Sequence, residues 1–276
     1  MPSTKSKICL LRLTAARPHL PVLLFLPGMD GTEISLRPQL AGLQAHFDIR
    51  CLTLPPDDHS DWPTLARITI DLVKQANLFE RSIYLCGESF GGCLALQIAA
   101  DYPHLFERLI LINPASSFSN HLLMGWGAEL LPPLPYYLYY ISAFGLLPFL
   151  AAFDRIEVHN SQALLAAMQA VTQTSARWRL KLLNTFRPNW TRLRQLHQPT
   201  LLLASRADRL LPSITEAEKL QRAIPHAQMV VLPHSGHACL LERQVKLAAI
   251  LQTHKFMPAL ASDPLKERYD ESHKGI

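Results

Sequence analysis

The feature that most constrains the fold is a regular alternation of short apolar runs with longer segments of helical periodicity. Six continuous apolar runs recur along the 276-residue chain. Runs without polar alternation are typical of strands in a parallel sheet that is covered on both faces. The six predicted strands are Val22–Leu26, Ile49–Leu54, Ser82–Cys86, Leu109–Ile112, Thr200–Ala204 and Met229–Leu232.

Helical candidates lie between these runs. Strands that alternate with helices along the chain predict an α/β fold, with a mostly parallel central sheet flanked by helices. The predicted helices are Trp62–Leu78, Phe90–Tyr102, Ile214–Ile224 and Ala238–Gln252.

The alternation stops between about residues 116 and 194, where no clear strand follows. Within this stretch, Leu130–Phe153 carries no formal charge and is long enough to span a bilayer. Four prolines and Gly145 would break a continuous helix, so a helical cap over a binding cavity is favoured over a transmembrane helix. A tyrosine cluster there would suit a cavity mouth, a membrane interface or ordinary core packing, and comprises Tyr136, Tyr137, Tyr139 and Tyr140.

These patterns predict three parts of the chain. Residues 20–115 and 195–255 would form the α/β core, and residues 116–194 would form the helical cap inserted into it. Residues 256–276 are polar and charged, so we expect a loosely ordered C-terminal tail.

Composition and charge exclude several classes of protein. Apolar residues make up 49% of the chain and charged residues only 18%, which excludes a disordered protein. The net charge is +5, but the basic residues are scattered. The densest basic stretch, Arg177–Arg194, is equally typical of a solvated helix face, so we expect no nucleic-acid partner. Weak attraction to an anionic membrane surface is more consistent with this charge.

Cysteine usage and the N-terminal segment bear on localisation. The five cysteines are an odd number without a C-x-x-C pair, which argues against a disulfide framework and for a reducing compartment. Residues 1–10 lack the apolar stretch of a secretory signal. We therefore expect a cytoplasmic protein, whose apolar cap could make peripheral contact with a membrane. The sequence leaves the oligomeric state open.

A candidate nucleophile lies between the third predicted strand and the helix after it. Ser89 is the centre of the G-x-S-x-G motif that Gly87 and Gly91 complete. A serine in a sharp strand-to-helix turn needs glycines on both sides, because the neighbouring chain passes too close for a Cβ atom. Its oxygen would point over the helix N-terminus, where partial positive charge favours an oxyanion. The alternative is a glycine-rich turn with a solvated serine.

A base and an acid are available later in the chain. A serine needs a base to take its proton, and His237 lies just after the last predicted strand, with His234 as a second candidate. Asp208 follows a buried strand, so its carboxylate would lie at the same sheet edge as Ser89 and orient the histidine. Its alternative role is a loop salt bridge with Arg206 or Arg209.

The oxyanion that forms when a serine attacks a carbonyl needs two N–H donors. One would come from Phe90, which follows the nucleophile. The other would be Met29, because Gly28 and Gly31 on either side allow a tight turn after the first predicted strand. Asp30 in this loop would brace the backbone or touch the substrate.

Several stretches of the chain resemble the α/β-hydrolase superfamily, and more narrowly the hydrolase-like half of the phytyl ester synthase / diacylglycerol acyltransferase family of plastids. This resemblance covers about residues 21–253. It implies the α/β-hydrolase fold, with Ser89 as nucleophile, Asp208 as acid and His237 as base. The matching stretches are Leu26–Thr32, Cys86–Leu96, Asn113–Phe118, Trp178–Leu183 and Gly236–Glu242.

The resemblance and the candidate triad together predict a serine hydrolase that cleaves lipid-like acyl esters or thioesters. The plant proteins continue into an acyltransferase-like domain, whereas this sequence ends soon after the last predicted helix, so we expect hydrolysis. An acyltransferase with the same triad and a non-catalytic ligand-binding protein are the alternatives.

We expect catalysis without a cofactor or a metal. The sequence has no G-x-G-x-x-G motif and no P-loop. The histidines His226, His234 and His237 lack the helical spacing and the cysteine partners that zinc sites use.

Overall fold

In a computed structural model, the structure describes residues 7–118 and 154–258, together with positions 135, 145 and 149. The described residues form one seven-stranded sheet in the order β1-β3-β2-β4-β5-β6-β7. All neighbouring strands from β3 to β7 are parallel, and β1 alone runs antiparallel to β3. The strands are β1 Cys9–Arg12, β2 Val22–Leu26, β3 Asp48–Thr53, β4 Ile83–Glu88, β5 Arg108–Ile112, β6 Thr200–Ser205 and β7 Ala227–Leu232.

Helices cover both faces of this sheet, which confirms the predicted α/β-hydrolase fold. Short 3-10 helices occupy Arg37–Gln39, Pro103–Leu105 and Cys239–Leu241. Within residues 7–118 and 154–258, the α-helices are α1 Leu40–Leu43, α2 Trp62–Gln75, α3 Phe90–Asp101, α4 Val158–Ala170, α5 Gln173–Thr185, α6 Trp190–Leu193, α7 Ser213–Ala223 and α8 Leu247–Thr253.

Strand β1 and the last predicted helix differ from the sequence prediction. Strand β1 was not predicted: its apolar run, Ile8–Leu11, is short, and this edge strand is mostly exposed. The predicted helix Ala238–Gln252 is wrong: Cys239–Leu241 is a 3-10 turn and α8 begins only at Leu247. The break occurs at Glu242, whose backbone is extended and bridges Ile156 and whose buried carboxylate pairs with Arg155 at 2.8 Å.

Alternate residues of each strand enter two apolar layers, because successive side chains point to opposite faces of a sheet. Val22, Leu24 and Leu26 of β2 join one layer, which packs against α2, α3, α5, α6 and α7. Leu23 and Phe25 join the other layer, which packs against α1 and α8. Full burial of such side chains contributes about 1.5–3 kcal/mol each, so the two layers hold the carboxyl ends of the parallel strands in a fixed order.

Part of the predicted cap lies within the described residues, which contain α4, α5 and α6 between β5 and β6. The uncharged stretch Leu130–Phe153, with its tyrosine cluster, lies outside them except at positions 135, 145 and 149. In the part of the chain that the structure describes, no helix has both the length and the apolar character needed to cross a membrane. The division into core, cap and tail stays a prediction, as does membrane contact.

Candidate active site

Ser89 lies at the junction of β4 and α3, in the sharp turn that the glycine spacing predicted. Its φ of 52° and ψ of −112° fall in the left-handed range of φ, which non-glycine residues rarely adopt. A Cβ atom on Gly91 would lie 2.0 Å from the carbonyl oxygen of Leu26, and one on Gly87 would lie 2.4 Å from that of Gly91. The turn therefore requires glycine at both positions.

The structure brings Ser89, His237 and Asp208 together in one hydrogen-bonded row. The Nε2 atom of His237 lies 2.8 Å from Ser89 Oγ, and its Nδ1 atom lies 2.7 Å from Asp208 Oδ2. His237 follows β7 and Asp208 follows β6, so both reach the sheet edge at which β4 ends. His234 is exposed, and it is the buried His237 that contacts Ser89.

Asp208 is held in a loop by its own hydrogen bonds. The backbone N–H groups of Leu210 and Leu211 donate to its Oδ1 atom at 2.8 and 2.9 Å. The hydroxyl of Ser213, at the start of α7, donates to its Oδ2 atom. The carboxylate thus keeps one oxygen for its own loop, while the other faces both Ser213 and the ring of His237.

The charges of this row shift two pKa values in opposite directions. Burial by itself lowers the pKa of His237, but the Asp208 carboxylate beside the ring outweighs it and the net pKa is raised. Burial by itself raises the pKa of Asp208, but the histidine and the hydroxyl of Ser213 outweigh it and the net pKa is lowered. Each partner therefore stabilises the charged form of the other.

A second buried carboxyl group lies next to the nucleophile. Glu88 is 4% exposed and accepts a hydrogen bond from the Ser35 hydroxyl. Burial, reinforced by the charge of Asp30, raises its pKa to about 7, against the opposing effects of Ser35 and His237. The burial of Glu88 could not be predicted, because a variable position inside G-x-S-x-G carries no signal of burial.

Asn113 and Glu242 hold the loop that carries His237, and neither was predicted to have a role. Asn113 directly follows β5 and has a φ of 43°; it donates from Nδ2 to the carbonyl of His237 at 2.7 Å and accepts from Ser205 N–H at 2.8 Å. Glu242 accepts from the N–H of Gly236 at 2.7 Å. A polar residue directly after a buried strand was the available signal for Asn113.

Each of the two predicted oxyanion donors belongs to a peptide unit whose carbonyl group is held by hydrogen bonds. The carbonyl of Gly28 accepts from Gly31 N–H at 3.0 Å, and the carbonyl of Ser89 accepts from Gly92 and Ala115 N–H at 3.0 and 3.1 Å. In a trans peptide the N–H points opposite to the C=O. The N–H groups of Met29 and Phe90 therefore point away from the carbonyl groups of Gly28 and Ser89, whose directions are set by these hydrogen bonds.

Asp30 braces the loop in which Met29 lies. Its Oδ2 atom accepts from the N–H of Thr32 at 3.0 Å and also from the Thr32 hydroxyl. Burial raises the pKa of Asp30, although both hydrogen bonds from Thr32 oppose that change. The bracing role predicted for Asp30 thus has a direct structural counterpart.

The sequence profile described as "Alpha/beta hydrolase family" matches residues 23–250, and the chain belongs to this family. Its fold is shared with MenH from S. aureus, with a TM-score of 0.73 and 18% identity, over 89% of this chain and 96% of that one. The chain is therefore a hydrolase of the α/β-hydrolase superfamily.

Two curated relatives are similar to this chain in sequence. "Phytyl ester synthase 1, chloroplastic" from Arabidopsis thaliana is 32% identical over 84% of this chain and 36% of its own length. "Putative carbamate hydrolase RutD" from Enterobacter cloacae is 27% identical over 87% of this chain and 95% of its own length. The chain thus spans about a third of the length of the plant relative, and the predicted resemblance to the phytyl ester synthase family is confirmed.

Proposed function

We propose that this protein is a serine hydrolase that cleaves acyl esters of lipid-like substrates through an acyl-Ser89 intermediate. The observation that carries the proposal is the continuous row from Ser89 Oγ through His237 to Asp208, with separations of 2.8 and 2.7 Å. Such a row allows an imidazole to take the proton of a serine while a carboxylate stabilises the imidazolium that forms. The residues are the ones that the sequence predicts for this chemistry.

In the acylation half of the reaction, Ser89 Oγ attacks the ester carbonyl carbon and its proton passes to Nε2 of His237. The Asp208 carboxylate keeps Nδ1 protonated and balances the new positive charge. The carbonyl oxygen becomes an oxyanion that the N–H groups of Met29 and Phe90 would stabilise. The ester C–O bond then breaks, and His237 returns the proton to the departing alcohol.

In the deacylation half, water replaces the alcohol. His237 takes a proton from water, the hydroxide oxygen attacks the acyl carbon, and the same two N–H groups stabilise the second oxyanion. The bond from Ser89 Oγ to the acyl carbon breaks, and His237 returns its proton to Ser89. The products are the free acid, the alcohol and the unmodified protein.

The name of the plant relative favours a second candidate, acyl transfer to a long-chain alcohol. Chemically, the alcohol would take the place of water in deacylation, with the same three residues. RutD is named for carbamates, which the same attack on a carbonyl carbon would also cleave. The lipid-like substrate therefore rests on the resemblance to the phytyl ester synthases and on the apolar composition of Leu130–Phe153.

The test is hydrolysis of p-nitrophenyl esters from acetate to palmitate by the wild-type protein and by Ser89→Ala. Each buried methylene contributes about 0.8 kcal/mol, so kcat/KM should rise about fourfold per methylene until the acyl pocket is full. The matched control is Ser82→Ala, which makes the same change at the opposite end of β4 and should retain activity. Activity that survives in Ser89→Ala would overturn the proposal, and activity that does not rise with length would overturn its lipid-like part.

Product analysis with added phytol separates hydrolysis from transfer. Under the proposed function, free fatty acid remains the main product when phytol is present. More phytyl ester than fatty acid would favour the acyltransferase.

A further inference from the structure

Arg179 is a fully buried cation that the proposed reaction does not use. It lies in α5, is 1% exposed and is among the largest completely buried side chains of the described residues. Burial of a guanidinium is costly unless its N–H groups are well bonded. Its bonds therefore indicate what it stabilises.

The two ends of the guanidinium bond two different loops. Nη1 donates to the carbonyl oxygen of Met29 at 2.6 Å, and Nη2 donates to that of Pro55 at 2.7 Å. These loops follow β2 and β3, which are neighbours in the sheet. Arg179 thus joins a helix of the predicted cap to two adjacent loops at the carboxyl edge of the sheet.

The loop from Gly28 to Gly31 is held at three carbonyl groups. Gly28 accepts from Gly31 N–H at 3.0 Å, Gly31 accepts from Leu54 N–H at 2.9 Å, and Met29 accepts from Arg179. The first bond lies within the loop and the second comes from Leu54, just after β3, whereas the third comes from α5. Arg179 bonds the carbonyl of Met29, and this peptide unit directly follows the one that contains the Met29 N–H.

Charge and close packing add to the hydrogen bond between Arg179 and the Met29 loop. The positive charge of Arg179 acts on the Asp30 carboxylate in the same loop. Gly31 has a φ of +76°, and a Cβ atom there would lie 3.2 Å from Nη1 of Arg179 and 2.9 Å from the carbonyl oxygen of Leu54. The loop therefore packs closely against both Leu54 and the guanidinium.

A planar guanidinium suits this position and an ammonium does not. Arg presents rigidly spaced donors that can satisfy two carbonyls at once, whereas Lys is a single compact charge. The same helix makes another hydrogen bond to this side of the molecule: the Trp178 Nε1–H donates to the carbonyl of Ser60 at 3.0 Å. That bond helps to dock α5 without reaching the Met29 loop.

We propose that Arg179 is a positioning residue, which fixes the loop carrying the Met29 N–H through its own hydrogen bond to the Met29 carbonyl and thereby supports oxyanion stabilisation. The inference rests on the proposed function, because it assigns the Met29 N–H to the oxyanion. It adds a role for the predicted cap that is separate from binding the acyl chain.

The test compares Arg179→Met and Arg179→Lys with Trp178→Phe as the matched control. For each, kcat and KM are measured on p-nitrophenyl butyrate, with active sites counted by burst titration. The affinity of butylboronic acid, which forms a tetrahedral adduct with a catalytic serine, and the Tm are measured on the same samples. A short acyl chain keeps the readout independent of the acyl pocket.

A displaced oxyanion donor should lower kcat by about 100-fold in Arg179→Met, with KM changed less than about threefold. Boronic acid affinity should fall by a similar factor, because the adduct uses the same donors. In Arg179→Lys, kcat and boronic acid affinity should both stay below the wild-type values. Trp178→Phe should lower Tm while its kcat per titrated site stays within about twofold of wild type.

Normal kcat and boronic acid affinity per titrated site in Arg179→Met, with only Tm reduced, would overturn the inference and leave the proposed function intact. If Arg179→Met does not fold, Arg179→Lys decides by the same two readouts. If the wild-type protein lacks turnover that depends on Ser89, the proposed function fails and the inference fails with it.

Discussion

The Nε2 atom of His237 lies 2.8 Å from the Oγ atom of Ser89, although 148 positions separate the two residues along the chain. The parallel sheet produces this contact, because β4 and β7 end at the same edge. His237 is 3% exposed, so its ring meets the Asp208 carboxylate in an environment of low dielectric. Attraction between charges is stronger there than in water, which makes the charge on Asp208 important for the ring.

Asp208→Asn should lower kcat/KM by about 10³–10⁴-fold, because an amide can hold the wrong tautomer of His237 and cannot balance the imidazolium. The pH dependence should also shift. The neutral ring is the base, so kcat/KM rises with pH through the pKa of His237, which the Asp208 charge raises. Removal of that charge should move the midpoint of this rise to lower pH.

The measurement is the pH profile of kcat/KM for p-nitrophenyl butyrate in wild type and Asp208→Asn. Asp58→Asn is the matched control, because Asp58 also lies in a loop and accepts from a nearby residue, the Ser60 hydroxyl, at 2.8 Å. A midpoint that stays in place in Asp208→Asn would contradict the account of the His237 charge.

Gly91→Ala should disrupt the turn at Ser89. The added Cβ would lie 2.0 Å from the carbonyl oxygen of Leu26, so β2 and α3 would have to separate. We expect a loss of about 3–5 kcal/mol in the free energy of unfolding, together with loss of ester hydrolysis. Denaturant unfolding monitored by circular dichroism measures this change.

Gly145→Ala is the control for that substitution. Position 145 is helical and exposed, and no atom of the described residues lies within 4 Å of an added Cβ. Its free energy of unfolding should be unchanged or raised by up to about 1 kcal/mol, because Ala is the better helix former. Equal effects of the two substitutions would argue against the tight approach of α3 to β2.

Glu88→Gln should change how stability depends on pH. The folded-state pKa of Glu88 is about 7, above its ordinary value of 4.5, so the folded protein binds more protons than the unfolded chain between those values. Wild-type stability from this group therefore falls as pH rises from about 4.5 to 7. Glutamine cannot ionise and can still accept from Ser35, so the variant should gain about 2–3 kcal/mol relative to wild type above pH 7.

Denaturant unfolding of both proteins at pH 5 and pH 8 measures this difference. Glu107→Gln makes the same chemical change at an exposed carboxylate that also accepts from a serine, Ser82, at 2.6 Å. A stability difference between wild type and Glu88→Gln that is the same at both pH values would contradict the buried, ionising Glu88.

Most of the sheet could be predicted from the sequence because its strands are buried on both faces. A continuous apolar run as short as Val22–Leu26 is best accommodated as a buried strand, and β2 has those bounds in the structure. Strand β1 gave a weaker signal, since its apolar run Ile8–Leu11 is short and the strand is a mostly exposed edge strand. The helix predicted at Ala238–Gln252 failed because a long-range pairing of Glu242 with Arg155 overrides the local periodicity.

Some residues of the candidate site could be predicted from the sequence, and others could not. Ser89, Asp208 and His237 follow strands and have characteristic neighbours in sequence, so their meeting at the carboxyl edge of a parallel sheet could be predicted. Arg179 and Asn113 act through backbone carbonyls that are distant in sequence. An arginine in an amphipathic helix is usually a surface residue, and only tertiary packing reveals that this one is buried.

The most direct test of Ser89 as the nucleophile is its covalent labelling. The wild-type protein, Ser89→Ala and His237→Ala would each be incubated with a fluorophosphonate and analysed by intact mass and peptide mapping. We predict one adduct per chain on Ser89 in wild type, none in Ser89→Ala and a strongly slowed reaction in His237→Ala. Labelling at another residue, or equally fast labelling without His237, would contradict the assignment of Ser89 as a nucleophile that His237 activates.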